Sequence, residues 1–411
     1  MSQQSRSLKR NFVWIASGRF VYAASQWLLL AVIARLATVD DLGEFTYALA
    51  VTSPIIVLAQ MNMRAFMITD AKGEFELREY LYTQFLTLSM ALVIIVAIAA
   101  YSDATESAAL IILAVGFYKA AEGISSIFYG VSQKQELMAP VGISMAAHGL
   151  SAAFMMSAMM LTSGSVSHGV LGILLAWLII LFGLDVRMGR GWLTGSGRMR
   201  SLPVWKIVNS CFPLGVTTAL LTLRINLPVY FIKAELGVEQ VGYYSAVAYF
   251  LVIGNLLSGS LTQVSSPRLA RYYFREDAKR FSFLFRKHLG ILFIGGMASV
   301  AFVALFSAEI LWLLYGGEYA KHSGLLIWVS LTVATGFISQ FFGVILTVAR
   351  LFRYQVVSNI AGITVVVILS IYCIPLYGID GGAIALLGGA FVSLFVNVFV
   401  SWKHVLSKII I

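Results

Sequence analysis

The sequence predicts an all-α integral membrane protein of twelve transmembrane helices in two pseudo-symmetric six-helix bundles, with both termini in the cytoplasm. Three observations predict it: the composition, the alternating placement of basic residues, and a short pattern that recurs at equivalent points of the two halves. Hydrophobic residues make up 59% of the 411 and charged residues 12%, against roughly 25% charged in a soluble domain. Stretches such as 88–100 and 363–374 are apolar nearly all round, where a water-exposed helix keeps a polar face.

A helix needs about 20 residues to cross a bilayer. With turn signals as boundaries, spans are expected near 12–36, 42–63, 80–100, 107–131, 138–161, 168–186, 205–232, 240–265, 288–307, 323–348, 355–377 and 381–402. Residues 1–200 hold the first six spans and a linker, and residues 201–411 the other six. The first apolar run contains Arg19 and is too long for a signal-peptide core, so it is expected to stay as an uncleaved span. Between 304 and 322, the segment Ala308–Tyr315 is expected to be a short re-entrant or interfacial piece.

Basic residues test this count independently, because they cluster on the cytoplasmic side of membrane proteins. With the N-terminus inside, twenty-three of the 29 Lys and Arg fall in cytoplasmic segments. Only Lys233 and Lys321 fall in external loops, and Arg19, Arg35, Lys119 and Arg224 remain within spans. The net charge of +10 is therefore explained by topology rather than by nucleic acid. The external loops are too short to hold a catalytic domain. Cys211 and Cys373 fall near opposite membrane faces, beyond the ~7 Å reach of a disulfide, and are expected to be packing residues. The basic, aromatic segment Ser265–His288 is expected to lie as an amphipathic helix on the anionic cytoplasmic leaflet.

The Gly- and Arg-rich stretch 187–204 divides six spans from six. Val39-Asp40-Asp41-Leu42-Gly43-Glu44-Phe45 follows the first helix of one half, and Val238-Glu239-Gln240-Val241-Gly242-Tyr243-Tyr244 that of the other. With six helices per half, such repeats run in the same direction across the membrane, and transporters built this way carry their substrate between the halves.

Ala34-Arg35-Leu36 followed by Leu42-Gly43-x-Phe45, the run Tyr315-Gly316-Gly317-Glu318-Tyr319, and the turn Pro375-Leu376-Tyr377-Gly378-Ile379-Asp380-Gly381-Gly382-Ala383 together resemble a known family. They are similar to polysaccharide exporters and O-antigen repeat-unit flippases of the multidrug/oligosaccharidyl-lipid/polysaccharide (MOP) exporter superfamily. The resemblance implies two MOP-type bundles around a central cavity in the bacterial inner membrane. It also implies export of an undecaprenyl-diphosphate-linked oligosaccharide by alternating access, coupled to an H⁺ or Na⁺ gradient and needing no bound cofactor. The partners it implies are the lipid-linked oligosaccharide, the bilayer, and polysaccharide polymerase and chain-length proteins, with no nucleic acid.

Charges within spans carry the site predictions, since an Arg or Lys at a helix centre costs about 2.5–3.5 kcal/mol on insertion scales. Arg19, Tyr22 and Gln26 fall on one stripe of the first span and are expected to line a wet path. The competing reading is that Arg19 snorkels to the headgroups. Arg224 shares a face of the seventh span with Thr217. Gln60 is a further cavity candidate, with interhelical hydrogen bonding as its other reading. A diphosphate suits Arg, whose planar guanidinium meets phosphate oxygens bidentately. Lys119 and Glu122 are spaced to pair, and Glu122 has a second reading as the ion-coupling carboxylate.

No catalytic constellation, phosphate-binding loop or metal cluster is expected from the five scattered histidines. A multidrug cation antiporter of the same superfamily is the main alternative, disfavoured because the first and seventh spans carry Arg and no acid. A membrane polysaccharide polymerase or ligase is a weaker one, for want of a large external loop.

Overall fold

The computed structural model describes residues 8–70, 74–101, 105–193, 203–349 and 351–407. Among them the chain is helical throughout, and eleven helical stretches are long and apolar enough to cross a membrane. In chain order the helices are α1 (Leu8–Leu36), α2 (Val39–Gln60), α3 (Met63–Thr69), α4 (Leu77–Tyr101), α5 (Glu106–Lys134), α6 (Met138–Ser163), α7 (Val166–Ile180), α8 (Val186–Leu193) and α9 (Val204–Leu236). Then follow α10 (Val238–Ala248), α11 (Phe250–Phe274), α12 (Ala278–Tyr315), α13 (Gly317–Ala320), α14 (Ser323–Val348), α15 (Phe352–Tyr377) and α16 (Ile379–Ser401). A π-helical turn, Leu181–Asp185, joins α7 to α8, and a second, Trp402–Leu406, follows α16.

The chain divides into two compact units, Met1–Thr222 and Leu223–Ile411, with the division inside α9. Half of the Gly- and Arg-rich stretch 187–204, residues 194–202, lies outside the described residues. The recurring acidic-Gly-aromatic pattern opens a helix in each unit, α2 at Val39 and α10 at Val238. Thr38 caps α2 reciprocally, accepting from the Asp41 amide while Asp41 accepts from the Thr38 amide.

In the first unit α1 and α6 cross with their backbones nearly touching. A Cβ on Gly18 would stand 2.4 Å from the Gly142 carbonyl oxygen, and one on Gly142 would stand 2.3 Å from that of Trp14. Small residues let helices approach this closely within a membrane. The seam continues through Gly149, which meets Ser25 and the backbone of Tyr22. In the second unit α15 turns into α16 at Gly378 (φ 61°), a left-handed conformation that glycine adopts without strain. Three residues on, a Cβ at Gly381 would collide with the Cys373 carbonyl at 2.2 Å. Cys211 is buried and Cys373 half-buried, both as free thiols.

Four segments differ from the sequence expectation. The second span runs on past residue 63, because the chain bends at Met61 and Asn62 (φ 49° at each) and resumes as α3, taking Arg64 into the span Val39–Ile68. The span expected at 240–265 is α10 and α11, which break at Tyr249. Frequent Asn, Ser, Thr and Gln between 255 and 266 keep it out of the eleven apolar stretches. Ala308–Tyr315 is no separate piece but the end of the 38-residue α12, which departs from helical geometry at Phe306 (φ −125°, ψ 16°). The segment Ser265–His288 is a corner rather than one surface helix: α11 ends at Phe274, and α12 begins at Ala278 under an Asp277 cap. There Phe281 and Phe285 are buried against Phe341 and Phe342 of α14.

Candidate functional site

The polar residues of the first unit gather in two linked groups inside its helices. The first forms around Glu122 of α5. Lys119 Nζ stands 2.8 Å from Glu122 Oε2, and Tyr22 of α1 donates its hydroxyl to Glu122 Oε1 at 2.8 Å. A residue expected to line the path and the residue expected to couple ions are thus hydrogen-bonded to each other. Carbon atoms alone would not hold that register; the Gly149–Tyr22 approach of α6 and α1 sets the depth of Tyr22. Gln60 lies beside the same helix, with its side chain against Gly123. The side-chain amide nitrogen of Gln26 is buried without a hydrogen-bond partner among the described residues.

The second group was not expected from the sequence. His148 Nε2 lies 2.9 Å from Asp185 Oδ2, and neither side chain has any solvent exposure. Ser144 donates to the other Asp185 oxygen, and the Tyr129 and Ser144 hydroxyls stand 2.9 Å apart. The His148 ring stacks on Trp177 with centroids 3.8 Å apart. Tyr22 meets the same indole edge-on at 6.2 Å, and Tyr118 stacks on it at 6.5 Å. Trp177 therefore stands between the two groups. The signal available in the sequence was an acid and a histidine inside apolar runs. They are 37 residues apart, and Asp185 falls at the edge of its predicted span.

Arg64 extends the second group. Its guanidinium carbon lies 5.3 Å from the centre of the Tyr129 ring, and its Nη2 donates to Gln133 Oε1 at 3.0 Å. Arg64 and Arg19 are near enough for their charges to repel. Among the described residues no carboxylate forms an ion pair with Arg19, Arg64 or Arg224. Arg19 is exposed and Arg64 half-buried. Two neighbouring guanidinium groups without an acid form a natural anion site, and their planar forks fit phosphate oxygens.

In the second unit Arg224 donates to Ser393 Oγ at 2.7 Å. Thr217, on the same helix but in the first unit, returns its hydroxyl to the Pro213 carbonyl at 2.9 Å, a bond internal to the helix. Among the described residues no three His, Cys, Asp or Glu side chains cluster as metal ligands would.

Residues 8–273 match the model of a family described as "Polysaccharide biosynthesis protein". The chain is 28% identical over 397 residues to the capsular polysaccharide biosynthesis protein CapF of Staphylococcus aureus, covering 94% of this chain and 97% of that one. Among solved structures it is similar to the lipid II flippase MurJ in an inward closed conformation (TM-score 0.78, 12% identity, 95% of this chain and 88% of that chain). It is also similar to an inward-facing multidrug resistance MATE family transporter of the MOP superfamily (TM-score 0.75, 12% identity, 97% and 98%). At such identities the two likenesses speak for the fold alone.

Proposed function

Because this chain belongs to the polysaccharide biosynthesis protein family, we propose that it is a flippase for an undecaprenyl-diphosphate-linked oligosaccharide repeat unit of a surface polysaccharide. The observation that carries this reading is the pair Arg19 and Arg64: two intramembrane cations, in mutual repulsion and unpaired by acid. Such a pair is costly in a bilayer unless an anion visits it, and a lipid-linked diphosphate brings the anion and keeps its tail in lipid. Arg224 supplies a separate cation in the second unit. The capsular relative and the lipid II flippase of similar fold support a lipid-linked saccharide as substrate.

In this reading the protein sits in the bacterial inner membrane and works by alternating access along a cationic path. An H⁺ or Na⁺ gradient drives it, and the flipped unit passes to a polymerase and chain-length proteins. The test is a strain lacking this gene and any redundant flippase, in which lipid-linked repeat units should accumulate with their sugars facing the cytoplasm. Normal surface polysaccharide in that strain would overturn the reading.

A further inference from the structure

The first turns of α12 hold an open cleft of about 650 Å³, lined by Lys279, Ser282, Phe283, Arg286 and Lys287. The four larger side chains lie about 100–160° round the helix from Phe285, whose face packs on α14. Asp277, an acid of the same corner, is already engaged. It accepts from the Arg280 amide as the cap of α12 and pairs with the Arg280 guanidinium at 3.5 Å. Among the described residues Lys279, Arg286 and Lys287 form no ion pair.

The stripe that carries these cations runs on as Gly290, Ile294, Met297 and Ala301, all within about 40° of one line along the helix. A Cβ at Gly290 would meet nothing within 4 Å, so the strip opens at a notch just beyond Arg286 and Lys287. No side chain from Leu289 to Ala298 is polar, and Ile294 and Met297 are exposed. From Gly290 to Ala301 the helix rises about 16 Å, roughly half of a bilayer's hydrocarbon thickness. Protein buries 11% of the apolar window of this span, the smallest share among the eleven.

Charge that merely orients a span needs neither a cleft nor a chosen face. Here three cations stand at the head of an exposed apolar strip as deep as one leaflet. Arg286 offers a planar fork to phosphate oxygens, Lys279 and Lys287 flank it as point charges, and Ser282 adds a hydroxyl. Phe283, 70% exposed, is suited to the boundary between headgroups and acyl chains. A soluble anion would use the cations and leave the strip bare, and a neutral lipid would do the reverse.

We propose that this stripe of α12 binds one anionic phospholipid of the adjoining leaflet. Lys279, Arg286 and Lys287 hold its phosphate, and one acyl chain lies over Gly290 and Ile294. The site is independent of the flippase reading, since it asks for a membrane phospholipid and not for a transported saccharide.

Native mass spectrometry of the purified full chain tests it, with dioleoyl phosphatidylglycerol and the zwitterionic dioleoyl phosphatidylcholine as probes. The wild type is expected to hold one phosphatidylglycerol at least about tenfold more tightly than phosphatidylcholine. Lys279→Gln/Arg286→Gln/Lys287→Gln should bring that preference below about twofold. Arg268→Gln/Arg271→Gln/Arg275→Gln, which removes as much charge from the end of α11, should keep it. Gly290→Phe retains every charge and should weaken phosphatidylglycerol binding about fivefold by covering the notch.

Equal affinity for the two lipids in the wild type overturns the site. So does an unchanged preference in the first triple variant, or an equal loss in the second. If the first triple variant fails to fold, unchanged binding in Gly290→Phe overturns it instead. Two competitors identify the source of the phosphate. Displacement of phosphatidylglycerol by equimolar inorganic phosphate, or by an equimolar short-chain polyprenyl diphosphate, overturns the phospholipid assignment, and only the second result would bear on the flippase reading.

Discussion

Arg224 Nη1 donates to Ser393 Oγ at 2.7 Å, at the level where α15 and α16 come into backbone contact. A Cβ at Gly362 would lie 2.5 Å from Ser393 Oγ and 2.9 Å from the guanidinium, and one at Gly389 would lie 2.8 Å from the Gly362 carbonyl oxygen. Ser358 and Ser393 also exchange hydrogen bonds with each other's carbonyl groups. The guanidinium, which carries five donors in all, is thus fixed at one corner. Arg224→Ala is expected to slow flipping by about tenfold or more, a charge-assisted bond being worth about 1.5–3 kcal/mol. Arg224→Lys should keep part of the rate. Flipping assays at matched protein levels check this, and wild-type rates in both variants would remove Arg224 from the substrate path.

Arg19 and Arg64 are expected to act as one anion site. Arg19→Ala and Arg64→Ala should each weaken binding of the diphosphate lipid by about tenfold. The double variant should lose less than the product of the two, since residues sharing a partner are not additive. Arg19→Ala should also raise thermal stability slightly in the absence of substrate by relieving repulsion, a gain that Arg64→Ala offsets by losing its contacts with Gln133 and Tyr129. Titration with a short-chain polyprenyl diphosphate gives the first quantity and a melting curve the second.

Lys119→Met is expected to destabilise the first unit, because it strands the Glu122 carboxylate that Tyr22 also holds. Breaking a buried pair by removing one partner costs about 3–5 kcal/mol. With side chains 20% and 29% exposed, the lower end of that range or less applies here. Adding Glu122→Gln should restore much of the loss. A double variant no more stable than Lys119→Met alone would contradict the pairing.

The α1–α6 seam gives a packing prediction. Gly18→Ala must push two backbones apart, since its Cβ meets Gly142 backbone atoms at 2.4–2.8 Å, and overpacking of this kind costs about 1–3 kcal/mol. By contrast, Gly183→Ala meets nothing within 4 Å and should leave the melting temperature nearly unchanged.

Outside the spans, burial lowers the pKa of His322 below its ordinary 6.5, with the Asp380 carboxylate opposing part of the effect. The folded state therefore holds this proton less tightly than the unfolded chain. Its contribution to stability is fully present above about pH 6.5 and is lost as pH falls through the folded pKa. His322→Gln should flatten the melting temperature over that window, and an unchanged pH profile would count against it.

The sequence made the helices legible because lipid demands about twenty apolar residues in a row, a signal that needs no tertiary information. The Lys119–Glu122 pair was equally legible, being local to one helix turn. Tyr22 and Arg19 could be placed on a stripe, but nothing in their own helix says that Tyr22 ends on Glu122, 100 residues away. Arg64 read as a loop residue because the bend at Met61 and Asn62 leaves no Pro or Gly mark. The basic corner at 274–278 read as one amphipathic helix because charge and aromatic content run straight through it. His148 and Asp185 were invisible as a pair for a further reason: a π-helical turn shifts the register on which wheel arguments depend.

Each unit carries one such π-helical turn, Leu181–Asp185 between α7 and α8 in the first and Trp402–Leu406 after α16 in the second. One extra residue in a turn moves every later side chain about 100° around the helix axis. The first turn ends on a buried aspartate, whereas the second carries an exposed Lys403 and a half-buried His404. The same backbone irregularity thus buries an acid in one unit and leaves a basic group at the helix end in the other.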